Sequence, residues 1–221
     1  MLKLIVFDMD GVIVDSEYQG FSFLKQFIES LKTHNDDITH EQYSAIIGRS
    51  YDDLYQAIKS LSQSELTLTQ IGEKLLQEYN SSVGEYNYLT IFRKDIIDII
   101  QFAKQQGIKL AVASSSEQTH IEKVLGLCDI HQHFDLILSG RKFPKSKPDP
   151  AIYQAVLTYF GIKGYEAVAI EDSSHGIRAA KAAGLTVIAY EETRMAIDQS
   201  QADYKGKTML EILNIIQQLA D

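Results

Sequence analysis

Asp8-Met9-Asp10-Gly11 places two carboxylates two residues apart, ahead of a glycine that permits a sharp turn. Three other polar groups stand in comparable positions further along. They are Ser114-Ser115-Ser116, the run Arg141 to Asp149 carrying Lys145 and Lys147, and Glu171-Asp172-Ser173-Ser174. The chemistry this set suits is phosphoryl transfer. Asp8 is a carboxylate able to attack phosphorus and form an aspartyl-phosphate. Asp10 is too close to act on the same atom, but it reaches a leaving-group oxygen as general acid and then activates water as base. Asp8 with Asp172, helped by Glu171, offers an oxygen-rich site suited to octahedral Mg²⁺. Ser114, with Ser115 beside it, and Lys147 supply hydrogen bonds and charge for the transferring phosphate.

These residues converge only if the chain brings them to one edge. Lys3 to Phe7, Lys109 to Ala113, Asp135 to Leu138, Ala167 to Ile170 and Thr186 to Ala189 are short, β-branched and apolar without strict alternation. That is the pattern of strands buried on both faces. Helical patterns lie between them at Asp95 to Gln106, Glu117 to Leu125, Pro150 to Phe160 and Ser174 to Ala183. The alternation predicts an α/β fold, a doubly wound, mainly parallel sheet with a Rossmann-like core. Such sheets bind ligands at the carboxyl ends of their strands, where the polar groups fall. Asp149-Pro150 predicts a helix start, with aspartate as N-cap and proline in the first turn.

About a hundred residues separate the first apolar run from the second. A structureless loop of that length would be implausible in a compact domain. Phe21, Leu24, Phe27, Ile28 and Leu31 fall at helical spacing, and Gln42 to Ile47, Tyr51 to Leu61 and Leu68 to Tyr79 look similar. The expected organisation is a catalytic core of residues 1–14 and 89–221 with an inserted helical cap domain, residues 15–88.

Composition narrows the partners. The 221 residues are 45% hydrophobic and 23% charged, with 30 acids against 21 lysines and arginines for a net charge of -9. Nucleic acid and anionic membrane surfaces both require basic surface, so neither is expected. No run approaches the roughly 18 apolar residues of a membrane span. Two aspartates within the first ten residues are unlike a signal peptide, and the single cysteine, Cys128, cannot form an internal disulfide. A cytoplasmic monomer is the expectation. The charge is also uneven: residues 15–88 hold 12 acids and 5 bases, and the remainder 18 acids and 16 bases.

The segments DMDGVIVDSE, VASSS, SKPDP and IEDSSHGIRAAKAAG resemble, in order, the four motifs of the haloacid dehalogenase superfamily. The insert resembles the helical cap of its β-phosphoglucomutase-like branch. By that resemblance Asp8 is the nucleophile, and Asp10 the acid/base and a metal ligand through its backbone carbonyl. Asp172 is the side-chain metal ligand with Glu171 next to it, Ser114 and Lys147 hold the phosphate, and Mg²⁺ is the cofactor. The second aspartate favours phosphate chemistry over dehalogenation. Two positions depart from the mutase: Gly20 stands where DSExxH has histidine, and Glu117 where a lysine follows the serines. Arg93-Lys94 also replaces the mutase's proline-glycine, whereas Gly48-Arg49-Ser50 resembles the segment whose arginine grips a second phosphate. The expected function is a phosphomonoester hydrolase acting on a small phosphorylated metabolite, a sugar phosphate by class. A phosphosugar mutase and a non-catalytic phosphometabolite-binding protein are the alternatives.

Overall fold

The structure is a computed structural model that describes residues 1–47, 51–82 and 87–220. Six parallel strands form one sheet: β1 (Leu4–Phe7), β2 (Lys109–Ser114), β3 (Leu136–Ser139), β4 (Ala167–Glu171), β5 (Thr186–Tyr190) and β6 (Tyr204–Gly206). Their order is β3-β2-β1-β4-β5-β6. The helices are α1 (Ser16–Leu31), α2 (His40–Ser44), α3 (Tyr51–Ser62), α4 (Leu68–Ser82), α5 (Tyr88–Ile91), α6 (Ile96–Gln106), α7 (Gln118–Leu127), α8 (Ala151–Phe160), α9 (Ser174–Ala182) and α10 (Met209–Ala220).

The sheet carries apolar side chains on both faces because both are covered. Ile5 and Phe7 point to one side and pack with Ile96, Ile99 and Ile100 of α6 and Ile212 and Ile216 of α10. Leu4 and Val6 point to the other, against Ile152, Tyr153 and Val156 of α8 and Ile177 of α9. That two-residue alternation within a continuous apolar run is how a doubly covered strand divides its side chains. Fully burying each large aliphatic or aromatic side chain contributes about 1.5–3 kcal/mol. Cys128 belongs to the first of these layers, and burial pushes its thiol up to about 11, so it behaves there as a small apolar group.

The five expected strands match the observed ones within a residue or so at each end, whereas β6 answers to no apolar run. It spans three residues at the sheet edge, with Tyr204 and Lys205 exposed, so little of it had to be hydrophobic. At α8 the N-cap position is Pro150 rather than Asp149, yet Asp149 Oδ1 still accepts from the Ala151 amide at 3.0 Å. The carboxylate serves the helix start from one residue further out.

The chain divides into two compact units, each described by itself. The first comprises Met1–Asp15, Tyr88–Glu192 and Ile197–Asp221, and holds the sheet. The second comprises Ser16–Asn87 with Thr193–Ala196, and its core is Phe21, Phe27 and Ile28 of α1 with Tyr43, Ile58 and Ile71. Leu24 is only half-buried on that face. Residues 193–196 are far from the rest of this unit in sequence, and they join it by the buried Met195 and by the Ala196 amide, which donates to Ser44 Oγ at 3.0 Å. Among the described residues no helix is long and apolar enough to cross a membrane.

Candidate active site

The strand order reverses at β1, which has β2 on one side and β4 on the other. Loops leaving such a switch point diverge and open a crevice beyond the strand ends. Asp8 follows β1, Ser114 closes β2, and Glu171 closes β4 with Asp172 next. The pairs Phe7↔Val112 and Phe7↔Ile170 put Asp8, Ala113 and Glu171 one step further on at a common level.

Lys147 bridges that level. Its Nζ donates to Asp8 Oδ1 at 2.6 Å, Glu171 Oε1 at 2.7 Å and the Ala113 carbonyl at 2.8 Å. Three N–H donors therefore meet three acceptors. Burial disfavours the lysine's charge, but Asp8 and Glu171 outweigh it and hold the ammonium well above its ordinary pKa. Burial drives the Asp8 carboxyl well above the usual carboxylate range. Glu171 and Asp10 add to that rise, and Lys147 opposes it. Tyr153, fully buried on α8, donates its hydroxyl to Glu171 Oε1 and lies beneath the Lys147 ammonium.

Asp8, Glu171 and Asp172 each present a carboxylate oxygen within 4.8 Å of the others. Three buried acids face one lysine, an imbalance that a hard divalent cation with oxygen ligands would offset. Two glycines make room for this cluster. A Cβ on Gly11, whose φ is +81°, would lie 1.9 Å from Asp172 Oδ2, and one on Gly176 would lie 2.0 Å from Glu171 Oε2. Lys147 holds Asp8 Oδ1 as it holds Glu171 Oε1, and the three carboxylates together offer the hard oxygen ligands that Mg²⁺ takes. The donor set fits that ion.

Asp10 is half-buried, and its Oδ2 accepts from Ser116 Oγ at 2.7 Å. The Ser116 amide donates to Ser114 Oγ at 3.1 Å, and Ser139 Oγ donates to the Ser116 carbonyl at 2.6 Å. Ser114 is buried and Ser115 exposed at the same strand end. The residues brought together are thus Asp8, Asp10, Ser114, Ser115, Lys147, Glu171 and Asp172. Arg49 lies outside the described residues.

Sequence reasoning missed three participants. Ser116, third of its run, is the serine that touches Asp10. Tyr153 was legible only as a hydroxyl on an otherwise aliphatic helix face. Gln199, buried in the loop between β5 and β6, donates through Nε2 to the Asp172 carbonyl at 2.6 Å and the Tyr190 carbonyl at 2.8 Å. No local pattern flags it.

Comparison with known proteins agrees with this architecture. A family model described as haloacid dehalogenase-like hydrolase matches residues 5–190. The chain belongs to the haloacid dehalogenase-like hydrolase family and is one of its phosphatase-type enzymes. It is similar to the phosphorylated carbohydrates phosphatase of Thermotoga maritima, 28% identical over 186 residues that cover 83% of this chain and 82% of the relative. It is also similar to hexitol phosphatase B of Escherichia coli K12, 29% identical over 83% of this chain and 81% of that one. The solved β-phosphoglucomutase of Clostridium difficile shares the fold, with a TM-score of 0.69 and 22% identity, over 100% of this chain and 97% of that one.

Proposed function

We propose that this protein is a Mg²⁺-dependent phosphomonoester hydrolase that works through a phosphoaspartate on Asp8. The observation that carries the reading is Lys147, buried and charged, clamped across Asp8 and Glu171 at the strand-order reversal with Asp172 alongside. Asp8 attacks phosphorus as the bond to the leaving-group oxygen breaks, and Asp10 delivers the proton that oxygen needs. Asp10 then takes a proton from water, whose oxygen displaces Asp8 and releases inorganic phosphate. The Ser116 hydrogen bond orients the Asp10 carboxyl for both transfers. Lys147 and Ser114 bind the phosphate oxygens.

Mg²⁺ held by Asp8, Asp172 and the Asp10 carbonyl, with Glu171 beside them, would supply the positive charge that lets an anionic nucleophile meet an anionic phosphate. The charge balance among the chain's own residues supports that role. Burial and the neighbouring acids raise the Asp8 pKa against the pull of Lys147, and only the ionised carboxylate is a nucleophile. The substrate is a small phosphorylated metabolite, and relatives named for phosphorylated carbohydrates and hexitols support a sugar phosphate.

A panel of phosphate monoesters assayed with Mg²⁺ tests this reading. Phosphate release is expected, absent in EDTA and absent in Asp8→Asn, with the variant's melting temperature little changed. Full turnover by Asp8→Asn would sink the mechanism. With β-glucose 1-phosphate and a bisphosphate primer, free phosphate is expected, and glucose 6-phosphate would assign a mutase instead.

A further inference from the structure

Arg93 lies between α5 and α6, where the mutase resemblance would have placed proline, and its side chain is 14% exposed. One Nη2 donates to the Gly11 carbonyl at 3.2 Å and to Asp15 Oδ1 at 2.8 Å, while Nη1 donates to the Tyr190 hydroxyl at 2.9 Å. The guanidinium also lies over the Tyr190 ring at 3.9 Å. Backbone bonds draw the same segments together: the Arg93 amide donates to the Ile13 carbonyl at 3.0 Å, and the Asp15 amide to the Ile91 carbonyl at 2.9 Å. The turn after β1 closes on itself through Gly11 N to Val14 O at 2.7 Å and Ile13 N to Met9 O at 2.8 Å. The Gly11 carbonyl takes its hydrogen bond from Arg93.

We infer that Arg93 is a positioning residue that fixes the Asp8–Asp15 turn, and with it the proton-transferring Asp10. The inference rests on the hydrolase reading. A planar fork of donors holds a carbonyl, a carboxylate and a phenol at fixed angles while stacking on the phenol's ring, which proline, with no side-chain donor, cannot do and a lysine point charge reproduces only in part. Its grip falls one residue beyond Asp10, on the glycine packed against Asp172. On the other side Tyr190 continues the network, because its carbonyl and that of Asp172 share the Gln199 amide. Arg93 thereby ties the turn bearing one set of site carboxylates to the loop bearing another. Its Nε is buried without a hydrogen-bond partner among the described residues, so the placement serves the geometry of the fork rather than the fullest satisfaction of the guanidinium.

Arg93→Met, Arg93→Lys and Tyr190→Phe test this against wild type on the phosphate ester that wild type hydrolyses best. For Arg93→Met, kcat is expected to fall about 10–100-fold, the scale on which small misplacements near reacting groups act. KM should stay within about twofold, because binding common to ground and transition states is not removed. Arg93→Lys should recover part of kcat. Hydrogen exchange should quicken at the amides of Met9 to Asp15 in Arg93→Met and remain as in wild type along β2. Unchanged kcat with unchanged exchange in that turn would overturn the inference. So would a uniform acceleration of exchange with normal kcat, the mark of a merely structural arginine. If Arg93→Met does not fold, Arg93→Lys and Tyr190→Phe carry the same readouts at smaller amplitude. If wild type hydrolyses no phosphate ester, the hydrolase reading fails, and the exchange pattern still decides what Arg93 holds.

Discussion

Lys147 is the residue on which the acid cluster depends. It is nearly fully buried, and it is the ammonium that touches both Asp8 and Glu171. Removing one member of a buried charged cluster leaves the others uncompensated, which typically costs about 3–5 kcal/mol. Lys147→Met should therefore lower the melting temperature more in EDTA than in saturating Mg²⁺, because a cation bound to the native state restores part of the balance. Equal melting temperatures for variant and wild type in EDTA would contradict this account. At this scale the sequence was informative wherever a polar residue ended an apolar run, as at Asp8, Ser114 and Glu171. It marked Tyr153 only as a hydroxyl on an aliphatic helix face and was silent on Gln199, which lies in a loop with no motif.

Strand ends and helix starts do the local positioning. The Ser173 hydroxyl accepts from the Gly176 amide at 3.0 Å and caps α9, which aims that helix's first turn at the Glu171 carboxylate. Adding a methyl there forces a shift in a packed, charged site, and overpacking of this kind costs about 1–3 kcal/mol. Gly176→Ala should thus lose stability, with activity falling alongside it, as thermal denaturation and steady-state rates would report. Full retention of both would mean that Glu171 moves freely.

The start of β3 is pinned by Asp135, whose carboxylate accepts from the Leu110 amide at 2.9 Å and from Lys109 Nζ at 2.8 Å. Partial burial raises its pKa, but the Leu110 and Lys109 hydrogen bonds outweigh that and hold it below the ordinary aspartate value. A depressed carboxyl stabilises the fold above its unfolded pKa, and the contribution is lost as pH falls through the folded one. Asp135→Asn should therefore flatten the stability profile below about pH 4 and reduce stability at neutrality. A profile parallel to wild type across that window would remove Asp135 from the acid response.

Over the whole molecule the charge of -9 divides unevenly. The helical unit of Ser16–Asn87 and Thr193–Ala196 carries 11 acids against 6 lysines and arginines. Asp15 falls outside that unit and Arg194 within it, so its excess is smaller than the count over residues 15–88. Arg194 lies over the Tyr18 ring at 4.0 Å. An acidic helical unit in the same chain should favour esters with one phosphate and an uncharged remainder, through long-range repulsion. Raising salt from low to moderate ionic strength should then improve kcat/KM for a sugar bisphosphate more than for the monophosphate, as screening weakens repulsion. Equal salt responses would refute it.

The sequence by itself determined what is local: buried apolar runs, amphipathic helices between them, a helical insert, and polar residues where each run stops. Periodicity and turn chemistry act over a few residues, and these features need nothing more. The tertiary structure alone decided which of those ends meet. The order β3-β2-β1-β4 sets Asp8 between Ala113 and Glu171, and Lys147 reaches them from 139 positions along the chain from Asp8. Ser116 on Asp10, Tyr153 on Glu171 and Arg93 on the Gly11 carbonyl are likewise contacts of distant segments. Each depends on strand order and crossover packing, which no local pattern records.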